Sequence, residues 1–362
     1  MSENISFANL QNPSLRAGWN TSRKTLLSVV IPAYNEELNL EKLHEVVGGY
    51  LNQLESKDWE MIIVDDGSRD RTAAILAKLH EADDRVKMVS FSRNFGNQMA
   101  ISAGLEAATG DVVIVMDADL QQPPEMIAEL LARWENGYHV VNTRKAYGKN
   151  VGWFKRMTSN AFYRVMDMLS DVRIERGVSD FRLMDRKVVN VLNNMPEHSR
   201  FIRAQVAWLG FRQTTIPFTA NKRNAGTPSF SFTKLVSLAI DGIISSSVRP
   251  LRLITMSGIL LFSLLIPYGC WALFQFCFLG PKTPGWTSLV MIELFVGGVM
   301  LISLGIIGEY VARIYEEVKH RPRYVVERTI GFANDEKVEH RGESPVQSET
   351  PSRHEVETRR SA

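Results

Sequence analysis

Hydrophobic and polar positions in residues 25–140 alternate between short apolar runs and stretches of helical spacing. This alternation is typical of parallel α/β units, in which helices cover a buried sheet. Four apolar, mostly β-branched runs predict strands at 26–31, 61–64, 86–89 and 112–116, and helices are predicted at 39–54, after the second strand, at 98–109 and from 124 onward. Each predicted strand ends in polar residues. Because ligands collect at the carboxyl ends of such strands, we expect the candidate site at that edge of the sheet.

Several residues mark the expected ends of these helices. Ser68 or Asp70 is predicted to cap the second helix, because a short side-chain oxygen accepts hydrogen bonds from the first free backbone N–H groups. Gly110 is predicted to close the third helix in the C-cap position, and Pro124 to lie in the first turn of the fourth.

The chain becomes apolar after residue 252. Residues 253–279 contain no charge, and Glu293 is the only charged residue in 288–307. Each stretch has the roughly 20 residues that a bilayer-spanning helix needs, which predicts spans at about 253–279 and 288–308. The alternative is that one stretch is a buried core helix. Glu293 is expected at the membrane interface; a functional intramembrane carboxylate is the alternative.

Basic residues flank both apolar stretches, whereas their connection holds only Lys282. Because cytoplasmic loops carry the excess of Lys and Arg, this distribution predicts a multi-pass protein of the inner (plasma) membrane with both termini cytoplasmic. The flanking residues are Lys222, Arg223, Lys234, Arg249 and Arg252 before the first span, and Arg313, Lys319, Arg321 and Arg323 after the second.

The pattern divides the chain into six segments. They are a flexible arm at 1–24, an α/β domain at 25–230, an amphipathic helix at 231–250, the hairpin of two spans at 251–312, a cytoplasmic juxtamembrane segment at 313–333 and a disordered tail at 334–362. The amphipathic helix is expected in the membrane interface, and packing against the α/β domain is the alternative.

The averages over the chain conceal this segregation. Of 362 residues, 45% are hydrophobic and 23% charged, with a mean hydropathy of −0.10 and a net charge of +2. These values exclude a collagen, a disordered chain and a disulfide-stapled mini-protein, and they give no sign of a nucleic-acid partner. The two cysteines, Cys270 and Cys277, exclude a disulfide framework and a Cys-rich zinc site. Both are expected to pack as small hydrophobic residues.

Asp117-Ala118-Asp119 follows the fourth predicted strand. Two carboxylates at i and i+2 after a strand can point into one crevice, and their hard oxygens suit Mg²⁺ or Mn²⁺. Gln121 is expected to add a neutral oxygen. The alternative is a solvated turn, in which aspartate is common. The position at the carboxyl end of a strand favours the metal site.

Two further polar segments follow the first and second strands. Pro32 ends the first strand and Tyr34 offers a face for a base, while Glu36 either joins that site or caps the next helix. Asp65 and Asp66 after the second strand suit a base N–H or a ribose hydroxyl; a turn with a helix cap is the alternative. These segments contain neither a Walker lysine motif nor a Gly-rich dinucleotide loop, which argues against an NTPase or dehydrogenase that uses one.

Several strings of residues, taken together, are more specific than any one of them. They are Val30-Ile31-Pro32-Ala33-Tyr34-Asn35-Glu36, Val64-Asp65-Asp66-Gly67-Ser68, Asp117-Ala118-Asp119-Leu120-Gln121-Gln122-Pro123-Pro124-Glu125, Ser179-Asp180-Phe181-Arg182, Asp241-Gly242-Ile243, Pro250-Leu251-Arg252, Gly308-Glu309-Tyr310 and Arg321-Pro322-Arg323-Tyr324. Over about residues 25–330 the chain resembles glycosyltransferase family 2, and within it the polyprenyl-phosphate glycosyltransferases, similar to bactoprenol glucosyltransferases and dolichyl-phosphate mannose synthases. The resemblance implies a GT-A nucleotide-diphosphosugar fold, with an open and mostly parallel sheet, before the two-helix hairpin.

The resemblance also implies site residues. The nucleotide would be held by Pro32, Tyr34, Glu36, Asp65, Asp66, Asp117 and Ala118; metal and diphosphate by Asp117, Asp119 and Gln121; and the acceptor phosphate by Arg144, Arg156 and Ser159. The catalytic set would be Asp119, Asp180 and Arg223, which stands in an Arg-x-x-Gly string with Gly226. One departure follows that glycine, where Thr227-Pro228-Ser229 replaces the Ser-Lys that relatives usually carry.

The implied activity is inverting transfer of one sugar from a nucleotide-sugar, UDP-glucose or a similar UDP-sugar, to polyprenyl (undecaprenyl) phosphate at the cytoplasmic membrane face. The product would serve later modification of a cell-envelope glycan. The implied cofactor is Mg²⁺ or Mn²⁺, and the implied assembly in the bilayer is a homo-oligomer, a tetramer. Because a phosphate monoester with a second pKa of about 6 is largely dianionic at neutral pH, it needs no general base. Asp180 is therefore either a base or a carboxylate that orients Arg182 or a loop arginine.

Other activities stay open at this point. The donor could be GDP-mannose, in a polyprenyl-phosphate mannose synthase, or a modified pentose. A processive polysaccharide synthase usually carries Gln-x-x-Arg-Trp and more membrane helices, whereas this chain has Gln205-Val206-Ala207-Trp208 and two spans. A non-catalytic membrane scaffold is the third alternative, and the intact Asp117, Asp119 and Gln121 argue against it.

Overall fold

An eight-stranded sheet forms the centre of the α/β domain. The structure is a computed structural model that describes residues 24–145, 177–198, 200–221, 247, 249–279 and 285–332. The strands are β1 (Thr25–Ala33), β2 (Lys57–Asp65), β3 (Val86–Phe91), β4 (Val112–Val115), β5 (Val140–Lys145), β6 (Val178–Asp185), β7 (Gln213–Phe218) and β8 (Val326–Ile330). The helices are α1 (Leu40–Leu43), α2 (Gly49–Leu51), α3 (Thr72–Ala82), α4 (Asn97–Ala107), α5 (Met126–Glu135), α6 (Arg186–Asn193), α7 (Ile202–Trp208), α8 (Arg249–Leu279) and α9 (Trp286–Val318), with a π-helical turn, His44–Gly48, between α1 and α2.

The strand order is β7-β5-β6-β4-β1-β2-β3-β8. The four apolar runs form the parallel neighbours β4, β1, β2 and β3, as the sequence predicts. Strand β6 runs antiparallel to both β4 and β5, and β8 runs antiparallel to β3. The other six strands therefore share one direction, and their carboxyl ends lie at one edge of the sheet, which we call the carboxyl edge.

The parallel strands are buried on both faces, which explains their continuous apolar runs. In β1, Val29 and Ile31 belong to one hydrophobic cluster, with side chains of α1, α3 and α5, while Val30 belongs to the other, with α4, α6 and α7. A Cβ on Gly104 of α4 would lie 2.2 Å from Cγ1 of Val30, so this glycine allows α4 to approach β1 closely. The helices thus fix the sheet from both sides.

The start of α3 differs from the predicted cap. Arg71 occupies the N-cap position and its side chain makes no capping hydrogen bond. Asp70 still supports the first turn, because its Oδ1 accepts from the N–H of Thr72 at 3.0 Å. The Ser68 hydroxyl accepts instead from the N–H of Asn35 at 2.9 Å, which ties the turn after β2 to the turn after β1.

Two other predicted helix ends are wrong by a few residues. Helix α4 ends at Ala107, and the extended Ala108 is its C-cap. Gly110 lies beyond it, where its N–H donates to the Ser28 hydroxyl at 2.8 Å and a Cβ would lie 2.6 Å from that oxygen. Close packing against β1, rather than helix termination, therefore requires this glycine. Pro124 precedes the Glu125 N-cap of α5, so it lies in the turn before the helix.

The apolar stretches form two long helices, α8 and α9. By length and composition both contain candidate membrane spans, Arg249–Trp271 and Phe295–Val318, whose apolar windows are not buried inside the protein. Helix α9 continues about ten residues beyond the predicted end of the second span. Cys270 and Cys277 are free thiols exposed on α8, so they form no disulfide, and their packing as small hydrophobic residues stays a prediction.

The hairpin joins the α/β domain at the carboxyl edge. Beyond α9, β8 pairs with β3 so that Val326 lies opposite Phe91, the last residue of β3. The connection between α6 and α7 leads to this edge: Asn193 at the end of α6 donates to the carbonyl of Leu105 near the end of α4, and Ile202 at the start of α7 donates to Oε1 of Gln98 at the start of α4. In this connection, the Glu317 carboxylate of α9 accepts from the N–H of His198 at 2.8 and 3.1 Å. The sequence pattern predicts a juxtamembrane segment at 313–333 and no strand there, because β8 depends on its tertiary pairing with β3.

Candidate active site

Three carboxylates converge at the carboxyl edge where β4 ends. Asp117 and Asp119 follow β4, and Asp180 lies on the neighbouring β6. The antiparallel register pairs Val115 with Arg182, and its continuation by two residues places Asp117 opposite Asp180. The sequence prediction that these polar residues share one crevice is consistent with this register.

Asp117 is partly buried and makes paired hydrogen bonds with Gln122. The Gln122 amide donates to Oδ2 of Asp117 at 2.6 Å, and its oxygen accepts from the Asp117 N–H at 2.8 Å. Burial, together with the charges of Asp180 and Asp119, raises the pKa of Asp117 to about 7, although Arg203 and Gln122 act in the opposite direction. Sequence reasoning missed Gln122, because only the folded turn shows which of two adjacent glutamines faces Asp117.

Asp119 lies in a strained turn beside Gln121. Its Oδ1 accepts from the Gln121 N–H at 3.1 Å, and Leu120 between them has a left-handed φ of 58°, a conformation that costs a leucine energy. The side-chain oxygen of Gln121 accepts from Lys145 of β5 at 3.1 Å, and its carbonyl accepts from the Asn221 N–H at 2.9 Å. Gln121 thus connects the turn after β4 to two other segments, β5 and the residues that follow β7.

Asp180 forms a two-point ion pair with Arg203 of α7. Nε and Nη2 of Arg203 donate to the two carboxylate oxygens, each at 2.7 Å. Burial opposes the charge of Asp180, but the hydrogen bonds and charge of Arg203 lower the pKa of this carboxyl below its usual value. Arg182 lies behind, only 2% exposed and 3.8 Å from Asp180, and its burial lowers the pKa of this guanidinium to about 10.

The carboxylates have the chemistry of a divalent-cation site. Asp117 and Asp119 supply hard oxygens, and a cation beside them would offset the burial and the neighbouring negative charges that raise the pKa of Asp117. Among the described residues, no group of three or more His, Cys, Asp or Glu side chains is arranged as a metal site. Two carboxylates, with water or phosphate oxygens completing the shell, fit the coordination that Mg²⁺ prefers.

The side chains predicted to bind the nucleotide differ in their exposure to solvent. Tyr34 is 42% exposed at the end of β1, whereas Pro32 and Ala118 are buried. Glu36 is partly buried, and its Oε2 accepts from the side-chain amide of Asn39 at 2.6 Å, at the start of α1. Tyr34 is therefore the side chain of this group that presents an open face.

Asp65 and Asp66 are buried, and both carboxylates hold neighbouring loops. Asp65 accepts from the N–H of Ser68 and from the hydroxyl of Ser90, at 3.0 and 2.9 Å. Asp66 accepts from the N–H groups that precede α4, at 2.7 Å from Phe95 and at 2.9 and 3.2 Å from Gly96. Burial raises the pKa of Asp66, although these hydrogen bonds oppose the shift.

Of the remaining predicted site residues, the structure describes Arg144 alone. Arg144 is exposed near the end of β5, at the carboxyl edge. Arg156, Ser159, Arg223, Gly226 and Thr227-Pro228-Ser229 lie outside the described residues, as does nearly all of the predicted helix at 231–250. Sequence reasoning also missed Arg203, since no motif surrounds it and only the fold brings it to Asp180.

Comparisons with known proteins identify the family of this chain. A family model described as glycosyl transferase family 2 matches residues 28–192. The chain is 43% identical over 300 residues to the uncharacterized glycosyltransferase sll0501 of Synechocystis sp., covering 83% of this chain and 94% of the relative. It is 39% identical over 313 residues to the uncharacterized glycosyltransferase YkcC of Bacillus subtilis, covering 86% and 97%. A prophage bactoprenol glucosyl transferase homolog of Escherichia coli is 37% identical over 302 residues, covering 83% and 98%.

Proposed function

The chain belongs to glycosyl transferase family 2, and we propose that it transfers one glucose from a nucleotide-sugar to polyprenyl phosphate at a membrane surface. The eight-stranded sheet is the GT-A-like α/β fold that the resemblance implies. The name of the Escherichia coli relative supports glucose and a bactoprenol carrier. One observation carries the proposal: the carboxylate crevice and the junction with the apolar hairpin lie at the same edge of the sheet.

A lipid acceptor requires that the active site lie close to the membrane surface, and the shared edge is consistent with this requirement. A polyprenyl chain stays in the bilayer, so its phosphate reaches only the zone just outside the membrane surface. Beyond α9, β8 begins opposite Phe91, at the edge at which Asp117, Asp119 and Asp180 lie, and Glu317 of α9 contacts His198 in the loop that leads to this edge. In our proposal the hairpin places the protein in the inner membrane with both termini cytoplasmic, and basic flanks attract anionic lipid.

The donor half of the site would neutralise a leaving diphosphate. Asp117 and Asp119 would hold Mg²⁺ or Mn²⁺, which when bound supplies positive charge beside the diphosphate. Gln122 orients Asp117 through two hydrogen bonds, so the carboxylate is held in place before the donor arrives. Tyr34 would stack on the base, while Asp65 and Asp66 would keep the nucleotide loops in shape. Arg223 is proposed to close over the donor phosphates.

The acceptor half would need orientation rather than a base. A lipid monophosphate with a second pKa of about 6 is already largely dianionic at neutral pH. Both oxygens of Asp180 accept from Arg203, and the pKa of Asp180 is lowered, which makes this carboxylate a weak base. We therefore assign Asp180 to orienting Arg203, with Arg144, Arg156 and Ser159 as further acceptor-phosphate residues. A tetramer, implied by resemblance, stays a prediction.

The test is a screen of donors with the full chain in lipid nanodiscs. UDP-glucose, other UDP-sugars, a UDP-pentose and GDP-mannose are each incubated with undecaprenyl phosphate and Mn²⁺, and the lipids are resolved by mass. We expect a lipid-linked hexose with UDP-glucose. A product with GDP-mannose alone would replace glucose by mannose in the assignment, and extension to a polymer would identify a polysaccharide synthase.

A further inference from the structure

The residues after α9 return to the α/β domain and pack on it. We call residues 319–332 the post-span segment. The ring of Tyr324 stacks on Phe91 at the end of β3, with centroids 4.7 Å apart and planes 19° from parallel. Its hydroxyl donates to Oε2 of Glu106, in the last turn of α4, at 2.5 Å. Beyond Tyr324, the carbonyl of Val325 accepts from the Ser92 N–H at 3.0 Å and β8 begins.

Arg323 connects the same segment to the loop that leads into α7. One end of its guanidinium lies 3.5 Å from Oε1 of Glu106, and Nη2 donates to the carbonyl of Met195 at 2.7 Å. The buried Arg200 donates to the same carbonyl at 3.1 Å. Because Arg323 contacts α4 and this loop simultaneously, the post-span segment fixes one relative to the other.

The loop between α6 and α7 leads to the candidate active site. His198 in this loop donates its backbone N–H to the Glu317 carboxylate of α9, and Arg203, three residues after Arg200, pairs with Asp180. Contacts therefore hold this loop against the end of α9, and the same loop leads along the chain to the Arg203–Asp180 pair. The string Arg321-Pro322-Arg323-Tyr324 contributes to the family resemblance. The proposed nucleotide and metal sites assign it no role.

We propose that Glu106, Arg323 and Tyr324 are positioning residues that hold the crevice at a fixed height and orientation above the bilayer. The proposal rests on the proposed function, because it concerns an acceptor phosphate carried by a lipid. With these contacts intact, the hairpin and the crevice move as one body, and the lipid phosphate meets Arg203 in few orientations. Without them, the connection through residues 319–325 becomes flexible and the encounter loses that orientation.

Two kinds of acceptor separate positioning from chemistry. The full chain in nanodiscs receives either undecaprenyl phosphate in the bilayer or a water-soluble two-isoprene prenyl phosphate, which reaches the crevice in any orientation. Tyr324→Phe keeps the ring that stacks on Phe91 and removes one hydrogen bond; Glu106→Gln removes the charge. The control is Glu327→Gln, an exposed residue of the same segment.

We expect both variants to raise KM for undecaprenyl phosphate about tenfold, the factor that corresponds to losing a hydrogen bond to a charged group. KM for the donor and kcat/KM for the soluble acceptor should stay within about twofold of the parent values, because the hydrogen bonds that the variants lose lie outside the crevice. The control should match the parent throughout. Equal losses with both acceptors, or no loss with either, would overturn the positioning assignment.

A second readout needs no acceptor. Trypsin cleaves after Lys319 and Arg323, and the loosened segment should be cut faster in both variants than in the control. Unchanged cleavage would also overturn the proposal. If the parent transfers glucose to the soluble acceptor but not to undecaprenyl phosphate, the proposed function fails instead, and the trypsin result still decides whether the segment is held.

Discussion

Asp180 and Arg203 form a parallel, two-point ion pair, with both donor–acceptor distances at 2.7 Å. The pair joins β6 to α7 directly beside Asp117, whose pKa it influences from both sides: Asp180 raises the value and Arg203 lowers it. An arginine held in this way has a fixed orientation, and its positive charge suits recognition of a phosphate. The pair therefore links the metal-site carboxylates to the proposed acceptor side.

Arg203→Lys tests the geometry of this pair. Lysine keeps the charge but provides a single ammonium group that cannot bind both oxygens in parallel. We expect kcat/KM for transfer to fall by about 10- to 100-fold, which corresponds to losing a charge-assisted hydrogen bond. Arg212→Lys, an exposed arginine that stacks on Tyr138 at the opposite edge of the sheet, is the matched control. Parent-like turnover in Arg203→Lys would remove Arg203 from the account of the site.

Asp119→Asn tests the metal assignment without relying on turnover. The change keeps the shape of the side chain and removes one anionic ligand. Calorimetric affinity for UDP in the presence of Mn²⁺ should fall at least about 100-fold, since even changes behind the ligands cost 10- to 100-fold. The exposed Asp84→Asn serves as control. If UDP binds equally well to the variant, or equally well to the parent with EDTA, the metal site is assigned wrongly.

Glu60 provides a pH-dependent test of the fold. This buried carboxylate accepts from Ser28, Lys87 and Thr109, and although burial opposes its charge, these hydrogen bonds lower its pKa below the usual 4.5. A lowered pKa in the folded state means that the charged form stabilises the protein above the unfolded-state pKa, and that this contribution disappears as pH falls through the folded-state pKa.

Glu60→Gln should therefore lower the free energy of unfolding by about 1–3 kcal/mol at neutral pH. The difference from the parent should shrink as the pH falls below the usual carboxyl pKa. Thermal unfolding of the full chain in detergent, followed from neutral pH into the acid range, measures both. A difference that stays constant with pH would show that Glu60 contributes through shape rather than charge.

Two glycines form a matched pair for the turn after β2. Gly67 has a φ of 66°, and a Cβ there would lie 2.3 Å from the carbonyl carbon of Arg93. Gly67→Ala should destabilise the chain by at least about 2 kcal/mol, since the left-handed conformation alone costs 1–2 kcal/mol. Gly49→Ala meets open space in a helical conformation and should stabilise by about 0.5 kcal/mol. Equal thermal midpoints for the two variants would contradict this reading of the turn.

The sequence predicts the features that depend on local chemistry. Short β-branched runs that alternate with helical stretches are typical of buried strands in a parallel sheet, so the pattern predicts β1 to β4 and the position of Asp117 after β4. One charge-free stretch and a second with Glu293 as its only charge likewise predict α8 and α9. The resemblance, rather than periodicity, supplies the nucleotide-sugar chemistry, and the family match confirms it at the level of glycosyltransfer.

The features that the sequence does not predict depend on tertiary contacts. Arg203 reaches Asp180 from a helix 23 residues away, and β8 pairs with β3 only after the chain has passed through the hairpin. Gly110 is required by the neighbouring β1 rather than by its own helix, so a rule about helix ends misplaced it. Local sequence propensities do not predict contacts between residues that are distant in the chain.

The most direct test of the central claim identifies both products of a single reaction. The full chain in nanodiscs, supplied with UDP-glucose, Mn²⁺ and undecaprenyl phosphate, should release UDP and form a lipid whose ³¹P spectrum shows one phosphodiester. Transfer of glucose to a lipid phosphate requires this pair of products in equal amounts. Release of UMP with a lipid diphosphate, or release of UDP with no lipid-linked glucose, would contradict the account.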